Sequence, residues 1–125
     1  MTGVQTCALP IYVVRLIRCR WHNGIESRVF AIRDFALESG KVLAEAAIAY
    51  ETYGRLGATG RNAVPLAHGF TSSHHAAGRY ASGKAPRGLL EHEPGWWDTL
   101  VGPGRAIDTD RLFIVSSDVN RPPGR

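Results

Sequence analysis

Apolar and polar residues alternate most clearly between Phe30 and Leu37, where Phe30, Ile32, Phe35 and Leu37 stand out against charged neighbours. A period of two predicts a strand with one face on a core. Glu38-Ser39-Gly40-Lys41 follows, a hairpin-type turn. Val42 to Tyr53 resumes as strand, with Leu43, Ile48, Tyr50 and Tyr53 separated by small alanines. Ala44-Glu45-Ala46-Ala47 favours helix by propensity. The flanking Gly40 and Gly54 and the aromatic second half favour strand. The two segments together predict an antiparallel β-hairpin.

Gly54 to Asn62 is a loop by composition. Ala63-Val64-Pro65-Leu66-Ala67 is then a short, wholly apolar strand, the pattern of a parallel-sheet interior buried on both faces. Pro65 conflicts with that, because proline removes a ladder donor and is rare in central strands. Either the strand lies nearer an edge, or Pro65 is a substitution or a read error. Ala76 to Glu93 is irregular, with one helical turn expected at Arg87–Glu91. Pro94 to Val101 predicts a short helix carrying Trp96 and Trp97, broken by Gly102-Pro103-Gly104. A turn from Ala106 to Arg111 leads into a second apolar strand, Leu112–Val115, which ends at Ser116-Ser117-Asp118. The tail from Val119 to Arg125 is proline-rich and has no core-forming residue beyond Val119.

Charge narrows the function classes. The chain carries 15 Lys and Arg against 11 Asp and Glu, a formal net charge of +4 over 125 residues. The basic residues are mostly scattered arginines, with no lysine-rich tail and no basic–aromatic alternation, so nucleic acid is not an expected partner. No apolar run approaches the roughly 20 residues that span a bilayer. Cys7 and Cys19 form neither a metal motif nor a disulfide framework. The start lacks the basic and long apolar regions of a secretory signal, which leaves the cytoplasm as the expected location. Residues 1–11 have no charge and no period; Thr2 to Ile11 resembles one translated frame of a common sequencing adapter and is expected to be non-native. Residues 12–28 are an uncertain leader, residues 29–118 the folded part, and residues 119–125 an irregular tail.

Candidate chemistry gathers at His68-Gly69-Phe70-Thr71-Ser72-Ser73-His74-His75, directly after the strand Ala63–Ala67. Loops at the C-terminal ends of parallel strands collect ligands and catalytic groups. Glycine lets the backbone turn, so that the next N–H groups can converge on one point, as an oxyanion hole requires. Other readings of the same residues are weaker. The spacing of His68, His74 and His75 fits no familiar zinc pattern and no acidic partner stands nearby in sequence, so His68, His74, His75 and His92 are expected to line the loop and the surface. Ser72 or Ser73 beside His74 seldom meets nucleophile–base geometry. Trp96 and Trp97 are expected to pack the short helix on the sheet edge rather than form a substrate platform. Asp108 and Asp110 read as a turn with a surface pair to Arg111.

Five segments together resemble the start of the homoserine O-acetyltransferase family: Phe35–Gly40, Ala49–Leu56, Asn62–Gly78, Gly95–Gly104 and Ile107–Ser117. They follow family order and spacing from about Val29 to Ser117. The HGFTSSHHAAGRY variant resembles a branch described as homoserine-acetyltransferase-like hydrolases. The resemblance implies an α/β fold: the N-terminal part of an α/β-hydrolase domain, an antiparallel hairpin followed by two strands of the main, mostly parallel sheet, incomplete. It implies an enzyme that moves an acetyl group from acetyl-CoA to the hydroxyl of homoserine through an acyl-serine, with a Ser-Asp-His triad and acetyl-CoA as co-substrate rather than a bound cofactor. Small molecules are then the partners, and a homodimer is the expected assembly of the parent. No serine here lies in a G-x-S-x-G frame, so none of the triad is expected in these residues and the chain alone is expected to be inactive. Phe70 N–H aligns with the oxyanion donor of the loop after the third strand, supported by Gly69, with His68, Thr71 and Ser72 as lining. Two other readings stay open: an esterase or thioesterase of the same fold, and a small binding domain with no catalytic role. The second leaves parallel strands with open edges.

Overall fold

The computed structural model describes residues 25–86 and 88–118. The expectations for residues 1–24, for Arg87 and for residues 119–125 lie outside the described residues. Six strands are present: β1 (Arg28–Ala36), β2 (Val42–Tyr53), β3 (Ala63–Ala67), β4 (Val101–Gly102), β5 (Ile107–Asp108) and β6 (Phe113–Ser117). Four form one sheet in the order β1-β2-β6-β3, and β4 pairs with β5.

The hairpin forms as the alternation predicts. β1 and β2 run antiparallel with Phe30 opposite Ile48 and Ile32 opposite Ala46. Gly40, at a φ of 80°, and the N–H of Leu37 bonded to Lys41 O close the turn. Asp34 sits in the left-handed region at a φ of 52° and is missing from the ladder. The register is the same on either side of it, so Phe35, an odd number of residues from Phe30 and Ile32, falls on the opposite face and is 41% exposed. β2 is a strand throughout despite its alanine-rich helix formers, because its length gains two ladders. Its first half pairs with β1, and Tyr50–Tyr53 pair with β6. Pairing begins before the expected boundary at Val29: β1 starts at Arg28, and Ile25 bridges to Tyr80.

β3 departs from its expected burial. It pairs in parallel with β6, placing Pro65 opposite Val115. No strand among the described residues lies on its other side, and all of its residues except Leu66 are exposed. Among the described residues β3 thus stands at the edge of the sheet, a position where proline is tolerated.

No α-helix occurs among the described residues. At 94–101 the expected helix is replaced by consecutive turns, with Asp98 N–H on Gly95 O and Leu100 N–H on Trp97 O. Nucleating so short a helix is unfavourable, and the segment is held by bonds to another part of the chain. The N–H groups of Gly95, Trp96 and Trp97 donate to the carbonyls of Gly78, His75 and Ala76. This lashes the segment along the loop after β3. Gly95 is required there: a Cβ would stand 2.1 Å from Ala76 C. Near Arg87–Glu91 a single turn closes Leu89 N–H onto Pro86 O.

The core is small. Tyr53, Ala76, Ala77, Val101 and Ile114 form its centre, with Ile25, Leu66, Trp96, Ile107 and Leu112 packed around it. Trp96 thus packs inward, its Nε1–H donating to Ser73 O at 2.9 Å, while Trp97 tilts against it with ring centroids 4.8 Å apart. Asp108 departs from the expected surface pair. Its Oδ1 accepts the N–H groups of Gly104 and Asp110, which hold its carboxyl below the usual range, and Arg111 adds only a smaller Coulombic contribution.

Candidate functional site

The site lies where β3 and β6 end side by side, Ala67 opposite Ser117. From Ala67 the chain enters a four-residue turn closed by Ser72 N–H on Gly69 O at 3.1 Å. Phe70 and Thr71 occupy its apex, and Phe70 is fully exposed. Phe70 N–H has no partner among the described residues. Gly69 has an ordinary φ and open space where a Cβ would stand. Its lack of a side chain therefore leaves the mouth of the turn clear rather than permitting a strained backbone.

Behind the turn lies a polar network that reading the histidines one at a time could not reveal. His74 and His75 are buried, not surface, residues, at 4% and 6% exposure. Their partner is Glu51 on β2, whose side chain is wholly buried. Glu51 Oε2 accepts from the Tyr53 hydroxyl and lies 3.1 Å from His75 Nδ1. Its Oε1 accepts from the Tyr80 hydroxyl and lies 3.9 Å from His74 Nε2. A buried carboxylate is tolerable only when surrounded in this way by donors. Burial first, and then the neighbouring carboxylate, pushes the Tyr53 hydroxyl well above the ordinary tyrosine range, and burial followed by its bond to Glu51 does the same for Tyr80. Both therefore stay neutral and donate.

Tyr53 also fixes the loop backbone. Its oxygen accepts the N–H groups of Ala76 at 3.0 Å and Ala77 at 3.1 Å. Tyr80 stacks on His75 with centroids 4.3 Å apart. Gly78 N–H donates to Asp98 Oδ1 at 2.6 Å.

A second group of contacts joins the same loop to the end of β6. His74 Nδ1 lies 3.4 Å from Asp118 Oδ2, and His74 Nε2 lies 2.7 Å from Ser27 Oγ. With the proton on Nδ1 facing the carboxylate, Nε2 accepts from the serine. This row fastens the stretch before β1 onto the loop. Ser72 and Ser73, the expected neighbours of His74, do not meet its ring; Ser73 Oγ instead accepts His75 N–H. Asp118 Oδ1 lies 3.2 Å from His68 Nε2, and His68 Nδ1 lies 2.6 Å from Gly69 O. Of the residues expected at the site, His68, Gly69, Phe70, Thr71 and Ser72 therefore share one turn, with the His68 ring folded inward.

No family model matches the chain. Individual relatives do. Homoserine O-acetyltransferase of Geobacter sulfurreducens is 48% identical over 86 residues, covering 69% of this chain and 22% of that protein. The crystal structure of homoserine O-acetyltransferase from Bacillus anthracis superimposes with a TM-score of 0.64 at 34% identity, covering 75% of this chain and 23% of that one. The chain belongs to the homoserine O-acetyltransferase family. Its sheet is part of the α/β-hydrolase framework of these acyltransferases. The chain spans about a fifth of the length of the curated relatives it matches. Within the same similarity range stand a homoserine O-succinyltransferase of Methylibium petroleiphilum, 46% identical over 86 residues, and an esterase whose crystal structure gives a TM-score of 0.65 at 37% identity over 75% of this chain. Homoserine O-acetyltransferases, a succinyltransferase and an esterase thus all resemble this chain.

Proposed function

We propose that this chain supplies one half of the oxyanion hole of an enzyme that transfers an acetyl group from acetyl-CoA to the hydroxyl of homoserine through an acyl-serine. The observation that carries the reading is the free N–H of Phe70 at the exposed apex of the 69–72 turn, at the C-terminal end of a parallel strand. In acyl transfer a serine attacks the thioester carbonyl, and negative charge develops on its oxygen. A fixed N–H aimed at that oxygen stabilises the transition state, and loss of one such donor costs about 2.7–4 kcal/mol. The nucleophile, its histidine base and the orienting aspartate are not met in these residues. The chain alone is therefore inactive on this reading, and detectable acetyl transfer by the isolated 125 residues would refute it. Thr71 and Ser72 line the mouth of the turn. The enzyme acts in the cytoplasm as a homodimer on small molecules.

A second reading is hydrolysis, in which water replaces the acceptor. It is favoured by the esterase structure that superimposes on this chain. One experiment separates the two. The full-length protein carrying this segment is given acetyl-CoA with and without homoserine, and free CoA and O-acetylhomoserine are measured. Acceptor-dependent CoA release supports transfer. Equal release without homoserine supports the esterase or thioesterase reading, and no release in either arm sinks both.

A further inference from the structure

We propose that His68 is a positioning residue that aims the Phe70 N–H, acting through the peptide group joining Gly69 to Phe70. The inference rests on reading Phe70 N–H as an oxyanion donor. A peptide group is planar, so its C=O and N–H point in opposite directions. Whatever fixes Gly69 O therefore fixes Phe70 N–H.

Gly69 itself cannot hold that plane by packing, since nothing lies within 4 Å of where a Cβ would stand. The orientation has to come from hydrogen bonds. Ser72 N–H supplies one to Gly69 O, but from within the exposed turn. His68 Nδ1 supplies the other at 2.6 Å, from a side chain only 7% exposed. In the imidazolium form, which donates from both nitrogens, the ring is held in turn by Asp118 Oδ1 at 3.2 Å on Nε2. Asp118 is anchored to the sheet, its N–H donating to Ala49 O of β2 at 2.8 Å, and its Oδ2 faces His74. A continuous path thus runs from the sheet through Asp118 and His68 to the Gly69 carbonyl. Donation to that carbonyl also polarises the peptide and makes its N–H a stronger donor.

The test uses the full-length protein carrying this segment, with H68L and H68N. Leucine fills the space without donating. Asparagine keeps an N–H near the position of Nδ1 but cannot reach Asp118. Acetyl transfer is measured for kcat and KM separately, and the Phe70 amide is observed by 15N–1H spectroscopy with 15N-phenylalanine labelling. We expect H68L to lower kcat about 10-fold or more, with roughly 10²–10³-fold as the bound set by loss of a whole donor. KM stays near the wild-type value, and H68N recovers most of kcat. The Phe70 15N resonance moves upfield in H68L and stays near its wild-type position in H68N. Equal losses in H68L and H68N, or a loss confined to KM, overturn the proposal. So does an unmoved Phe70 resonance in H68L. If the unsubstituted protein transfers no acyl group, the oxyanion reading fails, and the amide resonance still decides whether His68 aims this peptide.

Discussion

Replacing Tyr53 by phenylalanine removes one oxygen from the centre of the core and nothing else. That oxygen accepts two backbone N–H groups, from Ala76 and Ala77, and donates to Glu51. Ala76 and Ala77 are wholly buried, so water cannot take its place. A buried donor left without a partner costs about 1–3 kcal/mol. Two such donors, with some relaxation of the loop between them, give a loss of about 2–4 kcal/mol for Y53F. The ring fills the same space, so almost no cavity cost is added. Y80F makes the useful comparison, because the Tyr80 hydroxyl serves Glu51 alone and no backbone group. We expect Y53F to be the more damaging of the two. Urea unfolding followed by tryptophan fluorescence measures both, since Trp96 donates to Ser73 in the same loop. A Y53F loss below about 0.5 kcal/mol, the range of ordinary surface substitutions, would show that the Ala76 and Ala77 N–H groups find other partners and that Tyr53 does not hold the loop. Equal losses in Y53F and Y80F would place the effect on Glu51 instead.

Three further outcomes follow from the same geometry. Gly95→Ala drives a methyl into the Ala76 backbone, which cannot yield without moving the 75–78 loop; a cost of about 1–3 kcal/mol is expected, and an unchanged denaturation midpoint would contradict the close approach. Tyr53 and Tyr80 have folded pKa values raised above their unfolded ones, so their contribution is present below about pH 10 and is lost as pH rises; a Y53F/Y80F double variant should show a flatter alkaline stability curve, and an unaltered curve counts against the buried hydroxyls. Asp108 is the opposite case: its folded pKa is lowered, first by the Gly104 N–H, so its contribution is present above the ordinary carboxylate range near pH 4 and disappears as pH falls below it. D108N should therefore lose pH dependence on the acid side, measured by thermal melts across that range; an identical acid slope would remove the Gly104–Asp108 contact from consideration.

The hairpin was legible in the sequence because its two signals, alternation in β1 and the glycine turn at Gly40, are local. β3 was legible as a strand but not in its surroundings. Five apolar residues read as interior, whereas the sheet order among the described residues pairs β3 with β6 alone and leaves all of it but Leu66 exposed. The expected helix at Trp96 and Trp97 gives way to turns because so short a segment does not offset the cost of nucleation, and bonds to the 75–78 loop hold it instead. At the site, the 68–72 turn was visible as a motif. The burial of His74 and His75 was not, because their carboxylate partner is on β2 and no spacing rule links them. A signal did exist: Glu51 and Tyr53 fall on one face of a strand, and a carboxylate on a core-facing position demands donors from elsewhere in the chain.

The sheet order carries a consequence for assembly in time. β6 lies between β2 and β3, and among the described residues β3 has no other neighbour in the sheet. The hairpin can close as soon as Tyr53 is made, but β3 must wait while the chain from His68 to Leu112 is completed and returns. Until β6 is made, Ala63–Ala67 lacks the strand it pairs with, and Pro65 offers no N–H to any other strand. Arrival of β6 joins the hairpin to β3 and brings Asp118 to the end of β3, where its carboxylate meets His68 and His74.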